Sequence, residues 1–423
     1  MKKKILIITP TVPWPVKSGG NAAQYHLLNY FREIFDITIL VTVGYNQHDD
    51  LIKLRELWKN VTLITVDVTY KPSLTSKLLS EVKIALGKLS YLKKFYHFLI
   101  QKEAVDSNTR GVFLYSGDTL SDYLCTRIIN VLSDLLKKEK YDLIQVEFTE
   151  YLPIVASLPK DTPKIFVQHE IRYIRMQREQ AVLKTSSPLE NFKIEYTKIR
   201  ELSLLKRYDK VLTLTAVDKS FLEKELLTNV EVSPFSVGNP KNSNKDFSFS
   251  KRFTFIGAES HFPNKDAVYW FINEIWNKFN NKDHFTFSVI GFWSKEAEKT
   301  LKQSPNIEFK GFVDDLESEI KGTIMVVPIR IGSGVRTKIL DAALNMIPVI
   351  ATSVGLEGLP LKHGSEVLIA DSPEEFMNCL NLLSTNKDLQ KKLVHNAYEI
   401  ISKEYSVERC VEIREAIYNK CLQ

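Results

Sequence analysis

Short, unbroken apolar runs alternate with amphipathic segments along most of the chain. In the first half the apolar runs are 5–9, 37–43, 61–66, 142–147, 163–168 and 210–214. In the second half they are 253–256, 285–290, 306–310, 323–327, 347–351 and 366–369. Unbroken runs are typical of strands buried on both faces of a parallel sheet, and the helical patterns between them indicate βα units. The sequence therefore predicts an α/β fold built on parallel sheets.

The two series of strands are separated by a polar segment. A chain of 423 residues is long enough for two domains of ordinary size, and the run 238–246 has the turn-rich composition of a linker. We predict an N-terminal domain over 1–237, a linker over 238–252 and a C-terminal domain over 253–405. The helical segment 406–423 carries no turn signal that would make it a separate domain.

The composition is that of a soluble globular protein, with 44% apolar and 26% charged residues. The net charge of +6 does not indicate a dedicated nucleic-acid binder, but it permits contact with an anionic membrane surface. No apolar run approaches the ~18 residues of a membrane span. The run 5–8 behind three lysines is too short for a signal peptide and lacks a cleavage site. We therefore expect a cytoplasmic protein.

The cysteines show neither paired nor metal-binding spacing. The chain has four, at Cys125, Cys379, Cys410 and Cys421. This scatter predicts free thiols in a reducing compartment and no metal site of cysteine ligands.

Residues 71–102 interrupt the alternation of strands and helices. They hold seven lysines and one acidic residue, interleaved with leucines and aromatic residues. Basic amphipathic segments of this kind can lie on anionic lipid, which would place the protein at the inner face of the cell membrane. The alternative is an inserted helical pair that packs on the first domain and has a solvated basic face.

A glycine pair, Gly19-Gly20, follows the first strand and a stiff proline-rich loop. A helix is predicted over 22–34. Strand, glycine turn and helix together resemble the opening of a doubly wound domain, although a plain turn would have the same pattern.

The most informative stretch is 326–343, where a strand, a glycine turn and a helix follow one another. Pro328 ends the strand because proline has no N–H for the ladder. Gly332-Ser333-Gly334 then turns the chain, and Ser333 is the predicted N-cap. Val335, Ile339 and Ala342 recur at helical spacing, which predicts a helix with one buried face.

This geometry favours an anionic ligand. A helix N-terminus attracts phosphate, and glycines allow close approach to the backbone. Arg336 and Lys338 add two positive charges, and Asp341 can accept hydrogen bonds from sugar hydroxyls. The set suits a nucleotide diphosphate-sugar. The alternative is an ordinary strand–turn–helix unit with a solvated basic face, because short glycine loops are weak signals.

Polar residues also follow other predicted strands, where α/β sheets bind their ligands. His169 and Glu170 follow the strand 163–168, and Glu147 ends the strand 142–147. His169 can hydrogen-bond a sugar hydroxyl or be a plain loop histidine, and Glu147 can equally be a solvated strand end. Three further residues follow the strand 253–256, namely Gly257, Glu259 and His261. The stripe Arg172, Arg175 and Arg178 faces either an anionic acceptor or water.

The order of several sequence blocks resembles the donor domain of the family-4 glycosyltransferases. The matching blocks are Phe255-Ile256-Gly257, Pro263-Asn264-Lys265-Asp266-Ala267, Gly311-Phe312-Val313-Asp314-Asp315-Leu316, Pro328 through Ala343, Pro348-Val349-Ile350-Ala351-Thr352 and Gly355-Leu356-Glu357-Gly358-Leu359. They span about 253–370. The resemblance implies the GT-B architecture, in which two Rossmann-like doubly wound domains face a central cleft.

The resemblance also implies roles for particular residues. The family has two glutamates separated by seven residues, and here Ser333 takes the first place and Asp341 the second. The second acid of the family binds the nucleotide ribose, and the first contacts the donor sugar. We predict His169 and Asp341 as catalytic residues. The predicted substrate-binding residues are Gly19, Gly20, Gly257, Asn264, Gly332, Ser333, Gly334, Val335, Arg336, Lys338 and Asp341.

The implied activity is a retaining glycosyl transfer from a nucleotide-diphosphate-sugar to a glycan or lipid-linked acceptor, as in bacterial surface polysaccharide synthesis. The family is metal-independent, and no cofactor besides the donor substrate is expected. Two alternatives remain open. The substitution of the paired acids is compatible with a catalytically silent GT-B subunit that binds a nucleotide or a partner glycosyltransferase, and a nucleotide-sugar epimerase has the same architecture.

Overall fold

A computed structural model of the chain describes residues 2–16, 18–44, 47–67, 126–238, 247–280, 284–302 and 306–423. The strands of the first sheet are β1 Lys4–Thr9, β2 Asp36–Val43, β3 Val61–Asp67, β4 Leu143–Glu147, β5 Lys164–Gln168, β6 Lys210–Thr213 and β7 Val230–Val232. Those of the second are β8 Arg252–Ile256, β9 Thr286–Ile290, β10 Ile307–Gly311, β11 Ile324–Val327, β12 Val349–Ala351 and β13 Leu368–Ile369.

The α-helices of the described residues flank both sheets. In the first domain they are α1 Gly19–Phe31, α2 His48–Leu57, α3 Thr126–Lys138, α4 Arg172–Leu183, α5 Pro188–Leu205 and α6 Ala216–Lys224. They continue as α7 Phe262–Trp270, α8 Lys295–Leu301, α9 Leu316–Ile320, α10 Thr337–Leu344, α11 Ser353–Leu356, α12 Pro373–Thr385, α13 Lys387–Glu404 and α14 Val407–Cys421. Shorter helical turns cover Thr149–Ser157, Phe271–Ile275 and Trp276–Lys278.

Both sheets have the strand order of a doubly wound fold. The orders are β3-β2-β1-β4-β5-β6-β7 and β10-β9-β8-β11-β12-β13, and the paired strands are parallel. The order reverses between β1 and β4 in the first sheet and between β8 and β11 in the second. Ligands of such sheets bind beyond the carboxyl ends of the strands at this reversal, so two candidate crevices are defined by topology alone.

The predicted strands are confirmed, each within two residues at either end. Their burial explains why the sequence pattern predicts them, because the central strands β1, β4, β5 and β11 are mostly apolar and almost fully buried. Strand β7 was not predicted. It is three residues long, lies at the sheet edge and contains a half-buried glutamate, so it lacks the unbroken apolar pattern.

Two helix starts differ from the prediction. Helix α1 begins at Gly19 rather than 22, because the Ser18 side chain accepts a hydrogen bond from the Asn21 amide and caps it. Gly19 and Gly20 are therefore the first helical residues and not a loop. Helix α10 begins at Thr337, its N-cap is Arg336 without a side-chain cap, and the predicted N-cap Ser333 was wrong.

The last helix returns to the first domain. The Tyr418 ring on α14 lies 5.2 Å from the ring of Phe31 and 5.8 Å from that of Phe35, measured between centroids. Phe31 is the last residue of α1, and Phe35 lies in the turn between α1 and β2. The last helix therefore packs on the N-terminal domain although it follows the C-terminal one.

The basic segment 71–102, Cys125 and most of the predicted linker lie outside the described residues. Of the described cysteines, Cys379, Cys410 and Cys421 are free thiols. Within the described ranges, no helix is both long and apolar enough to span a membrane.

Candidate active site

The turn between β11 and α10 lies directly against the chain that follows β5. Gly334 has a positive φ of 74°, and a Cβ atom at this position would lie 2.2 Å from the carbonyl oxygen of His169. The Gly334 amide donates a hydrogen bond to Asp218 Oδ1, with an N–O distance of 3.4 Å. A side chain would push the two domains apart, so the glycine is required by close approach of two backbones.

Ser333 joins the two domains. Its Oγ accepts a hydrogen bond from the Ile171 amide at 2.7 Å and donates one to the Ile171 carbonyl at 3.3 Å. The residue is 7% exposed. The hydroxyl at the first acid position of the family pattern is therefore engaged with the N-terminal domain.

The predicted arginine stripe is paired with carboxylates. Arg178 binds both oxygens of Glu357 across the cleft, at 2.6 and 2.7 Å, and also donates to the Gly332 carbonyl. Arg172 and Arg175 both donate to one oxygen of Glu170, at 3.1 and 3.0 Å. Burial would raise the pKa of Glu170, but Arg175 and Arg172 outweigh it and hold that pKa below its ordinary value.

Two cations converge at the start of α10. Arg336 donates to the carbonyl oxygens of Ser333 and Gly334, each at 2.6 Å. Lys338 donates to the Asn264 side chain at 3.0 Å and lies 4.1 Å above the Phe255 ring. Burial and then the charge of Arg336 lower the pKa of Lys338 to about 7. Burial also lowers the pKa of Arg336, against the opposing charges of Asp218 and Glu357.

Helix N-termini from both domains meet beside these cations. A Cβ on Gly19, at the start of α1, would lie 2.7 Å from the Thr337 methyl at the start of α10. A Cβ on Gly20 would come within 3.1 Å of the Phe148 ring. Two helix dipoles thus point their positive ends toward one region, which can hold an anion.

Asn264 takes the place between Lys338 and the strand β8. A Cβ on Gly257 would lie 2.6 Å from its carboxamide carbon, and its Nδ2 donates to the Ala258 carbonyl at 3.2 Å. Its Oδ1 is therefore turned toward the Lys338 ammonium. The predicted residues Gly257 and Asn264 act together to orient this cation.

Asp341 lies one turn beyond Thr337 on α10 and three residues beyond Lys338, so all three share a face. The opposite face carries the buried residues Ile339, Leu340, Ala342, Ala343 and Leu344. Asp341 is half-buried. Val335 precedes the helix and packs against the hydrophobic core, so it contributes to the turn and not to the helical face that was predicted for it.

On the other side of the cleft, His169 and Glu147 form a hydrogen-bonded pair. The Nε2 atom of His169 lies 2.7 Å from Glu147 Oε2, and Glu147 is 3% exposed. The imidazole stacks on the Phe148 ring at 3.9 Å with an interplanar angle of 5°. A carboxylate only accepts hydrogen bonds, so the pair assigns the proton to Nε2. Glu147 is a buried partner of His169 and not a solvated strand end.

His261 and Glu201 complete the surroundings of this cleft. Burial, and then the charge of Arg175, lower the pKa of His261 to about 4. Burial raises the pKa of Glu201 to about 7. Glu201 accepts hydrogen bonds from the amides of Arg172 and Tyr173 and thus caps α4 from a different helix.

Sequence reasoning missed several contacts around this cleft. Asp218, Glu201 and Gln145 were not identified, and Glu357 was noted only within a family block. Glu201 lies inside a helix and Asp218 in a first helical turn, where charged residues are common. Gln145 did carry a signal, because it is the one polar residue inside the apolar run of β4.

No group of three or more His, Cys, Asp or Glu side chains that could hold a metal ion occurs in the described part of the chain. The chemistry that the visible groups offer is anion binding by Arg336 and Lys338 and hydrogen bonding by the His169–Glu147 pair.

Residues 250–386 match the family described as "Glycosyl transferases group 1". The chain is 25% identical over 152 residues to "Glycosyltransferase 1 domain-containing protein 1" of Xenopus tropicalis. This matched region covers 34% of this chain and 44% of the relative. It is 33% identical over 86 residues to "Uncharacterized 44.6 kDa protein in cps region" of Klebsiella pneumoniae, covering 20% of this chain and 22% of the relative.

The matched regions thus cover less than half the length of these curated relatives. Among solved structures, Anabaena HepE in complex with UDP and glucose superimposes with a TM-score of 0.64 at 12% identity, over 99% of this chain and 100% of that one. At such identity the likeness concerns the fold. The chain therefore has the GT-B fold, and its residues 250–386 are similar to the group 1 glycosyltransferases.

Proposed function

We propose that the protein is a retaining glycosyltransferase that moves a sugar from a nucleotide-diphosphate donor to a glycan or lipid-linked acceptor. The observation that carries this proposal is the pair of half-buried cations, Arg336 and Lys338, at the start of α10. Burial acts against the charge of both side chains. An anionic diphosphate would restore that charge balance, so the site is built for an anion that the ligand supplies.

The donor would lie along the C-terminal side of the cleft. Its diphosphate would contact Arg336, Lys338 and the N-termini of α1 and α10, where backbone N–H groups and dipoles favour phosphate. Asp341, on the same face of α10, would accept hydrogen bonds from the ribose hydroxyls. Protein cations and dipoles would stabilise the leaving diphosphate without a metal ion. The UDP bound by Anabaena HepE suggests a uridine nucleotide as the first donor to test.

The transferred sugar would then face the His169–Glu147 pair. His169 belongs to the opposite domain, and its backbone touches Gly334 of the donor side. A histidine in this position can orient a hydroxyl of the sugar or of the acceptor. We infer retention of anomeric configuration from the resemblance of the donor domain, and the configuration of the product would test it.

A role in surface polysaccharide synthesis is the pathway that we propose for this activity. The relative from Klebsiella pneumoniae is named for a cps region. The acceptor would be a growing glycan or a lipid-linked sugar at the inner face of the membrane, and the basic segment 71–102 would assist contact with anionic lipid.

One observation favours a second candidate, the catalytically silent subunit. Ser333 stands where the family has its first acid, and its hydroxyl is committed to Ile171. A protein of this kind would bind nucleotide diphosphates without transferring sugar. The nucleotide-sugar epimerase differs from both, because it would convert its donor without any acceptor.

A two-step experiment separates these functions. A thermal shift screen with UDP-, GDP- and TDP-sugars identifies the donor, because a ligand that binds the native state raises its stability. Donor hydrolysis and transfer are then followed with and without glycan acceptors. We expect nucleotide release that an acceptor accelerates. Binding without turnover for every donor would favour the silent subunit, and a changed sugar without nucleotide release would favour the epimerase.

A further inference from the structure

The His169–Glu147 pair is connected to the last helix of the chain by a series of buried polar contacts. Gln145 lies two residues before Glu147 on β4, and its Nε2 donates to Glu147 Oε1 at 2.6 Å. The Gln145 Oε1 atom accepts a hydrogen bond from the Tyr418 hydroxyl, and the Arg414 Nη1 atom lies 3.5 Å away. Both of these donors belong to α14.

The whole series is removed from water. Gln145, Glu147, Arg414 and Tyr418 are each at most 3% exposed. Buried polar groups are costly unless they are hydrogen-bonded, so each member depends on its neighbours. Arg414 is itself fixed, because its Nε donates to the Ser233 hydroxyl at 2.6 Å.

The contacts decide which way the Gln145 carboxamide points. Tyr418 and Arg414 offer donors, so the carboxamide oxygen must face them and its NH₂ group must face Glu147. The Glu147 carboxylate then accepts from Gln145 on one oxygen and from His169 on the other. This arrangement specifies the Nε2–H tautomer of His169 and leaves the lone pair on Nδ1.

We propose that Tyr418 and Arg414 are positioning residues for the His169–Glu147 pair. They orient Gln145, which holds the carboxylate that selects the tautomer and direction of the imidazole. The inference rests on the proposed function for its effect on transfer. Its effect on the imidazole is independent of any substrate.

The test is Tyr418→Phe, which keeps the ring that packs against Phe31 and Phe35 and removes only the hydroxyl. We expect kcat for transfer to fall about three- to tenfold, in line with the loss of one buried hydrogen bond. The donor KM and the UDP affinity should not change, because the donor site lies across the cleft. Tyr405→Phe is the matched control, since it removes another buried tyrosine hydroxyl, between α13 and α14.

A spectroscopic readout separates positioning from general loss of packing. In protein labelled with ¹⁵N-histidine, the ring shifts of His169, assigned with His169→Gln, report which nitrogen carries the proton. Wild type and Tyr405→Phe should show the Nε2–H tautomer. Tyr418→Phe should show a mixture of tautomers, and so should Gln145→Met, which breaks the series at its centre.

Three results would overturn the proposal. They are an Nδ1–H tautomer in the wild type, a His169 spectrum unchanged in a folded Tyr418→Phe protein, and a kcat loss equal to that of Tyr405→Phe. If Tyr418→Phe does not fold, the His169 ring shifts of the wild type and of Gln145→Met test the proposal instead. A wild type that transfers no sugar would refute the proposed function instead, and the tautomer measurement would still stand.

Discussion

The two sides of the cleft differ in how their charges are balanced. On the N-terminal side, Glu147 accepts hydrogen bonds from both Gln145 and His169, and the imidazole is stacked on Phe148. On the C-terminal side, Arg336 donates hydrogen bonds to backbone carbonyls, and Lys338 donates one to the carboxamide of Asn264. The carboxylate on the N-terminal side finds its hydrogen-bond donors within the protein. The cations on the C-terminal side carry positive charge that burial disfavours.

This difference separates two kinds of site. A hydrogen-bonded pair with a buried carboxylate is held in one geometry, which suits a group that must orient a reacting hydroxyl. Half-buried cations whose direct hydrogen-bond partners are neutral are costly, which suits a group that a charged ligand completes. We therefore expect transfer and nucleotide binding to respond to different substitutions.

Removal of the histidine should have the largest effect. His169→Ala should reduce transfer by about 10²-fold or more, the usual contribution of a positioned polar or acid–base group. The measurement is the rate of product formation at saturating donor. His395→Ala is the control, because this histidine is exposed on α13 and bonds the Lys391 carbonyl. Equal rates for the two variants would refute the role of His169.

Removal of the half-buried Arg336 should act on nucleotide binding. Arg336→Ala should weaken UDP binding by about 1.5–3 kcal/mol, the range for a hydrogen bond to a charged group. Titration calorimetry measures the affinity. Arg252→Ala removes an arginine that is exposed in the same domain and donates to the Lys321 carbonyl, and it should bind like wild type. Unchanged affinity for UDP, GDP and TDP in folded Arg336→Ala protein would contradict the proposed site.

The fold was more predictable than these contacts. Strands such as β1 and β11 are buried on both faces, so their apolar runs are visible in the sequence. Ser333 was placed at the right turn but given the wrong partner, because its bond to Ile171 joins residues 162 positions apart. Local pattern carries no information on a contact across two domains. The same reason hid the link from Gln145 to Tyr418.

The pH dependence of nucleotide diphosphate binding should be an effect of intermediate size. Burial and the charge of Arg336 lower the pKa of Lys338 to about 7, far below the ordinary lysine value. A bound diphosphate favours the ammonium form, so the pKa should rise on binding and protons should be taken up. Affinity should therefore fall as pH rises, by about fivefold between pH 7 and 8 if one group controls it.

Calorimetry in buffers of different ionisation enthalpy measures this proton uptake. Lys338→Met should bind more weakly and show a flat pH profile over the same interval. A wild-type affinity that is constant from pH 7 to 9 would show that Lys338 is not the controlling cation.

The contact between the domains should give the smallest effect. Ser333→Ala removes the hydroxyl that bonds Ile171 and should weaken the contact between the two domains by about 0.5–1.5 kcal/mol. The donor KM should therefore rise about two- to tenfold. Ser384→Ala removes another buried serine hydroxyl, one that bonds the Asn381 carbonyl within α12. If both variants have the wild-type KM, the contact of Ser333 with Ile171 does not contribute to donor binding.

The division of labour across the cleft is tested most directly by the UDP affinity of His169→Ala. Calorimetry on the folded variant should give a dissociation constant within about twofold of the wild type, because the nucleotide is held by Arg336, Lys338 and the start of α10. Loss of UDP binding in a folded His169→Ala protein would contradict this account, since it would place the histidine in the nucleotide site.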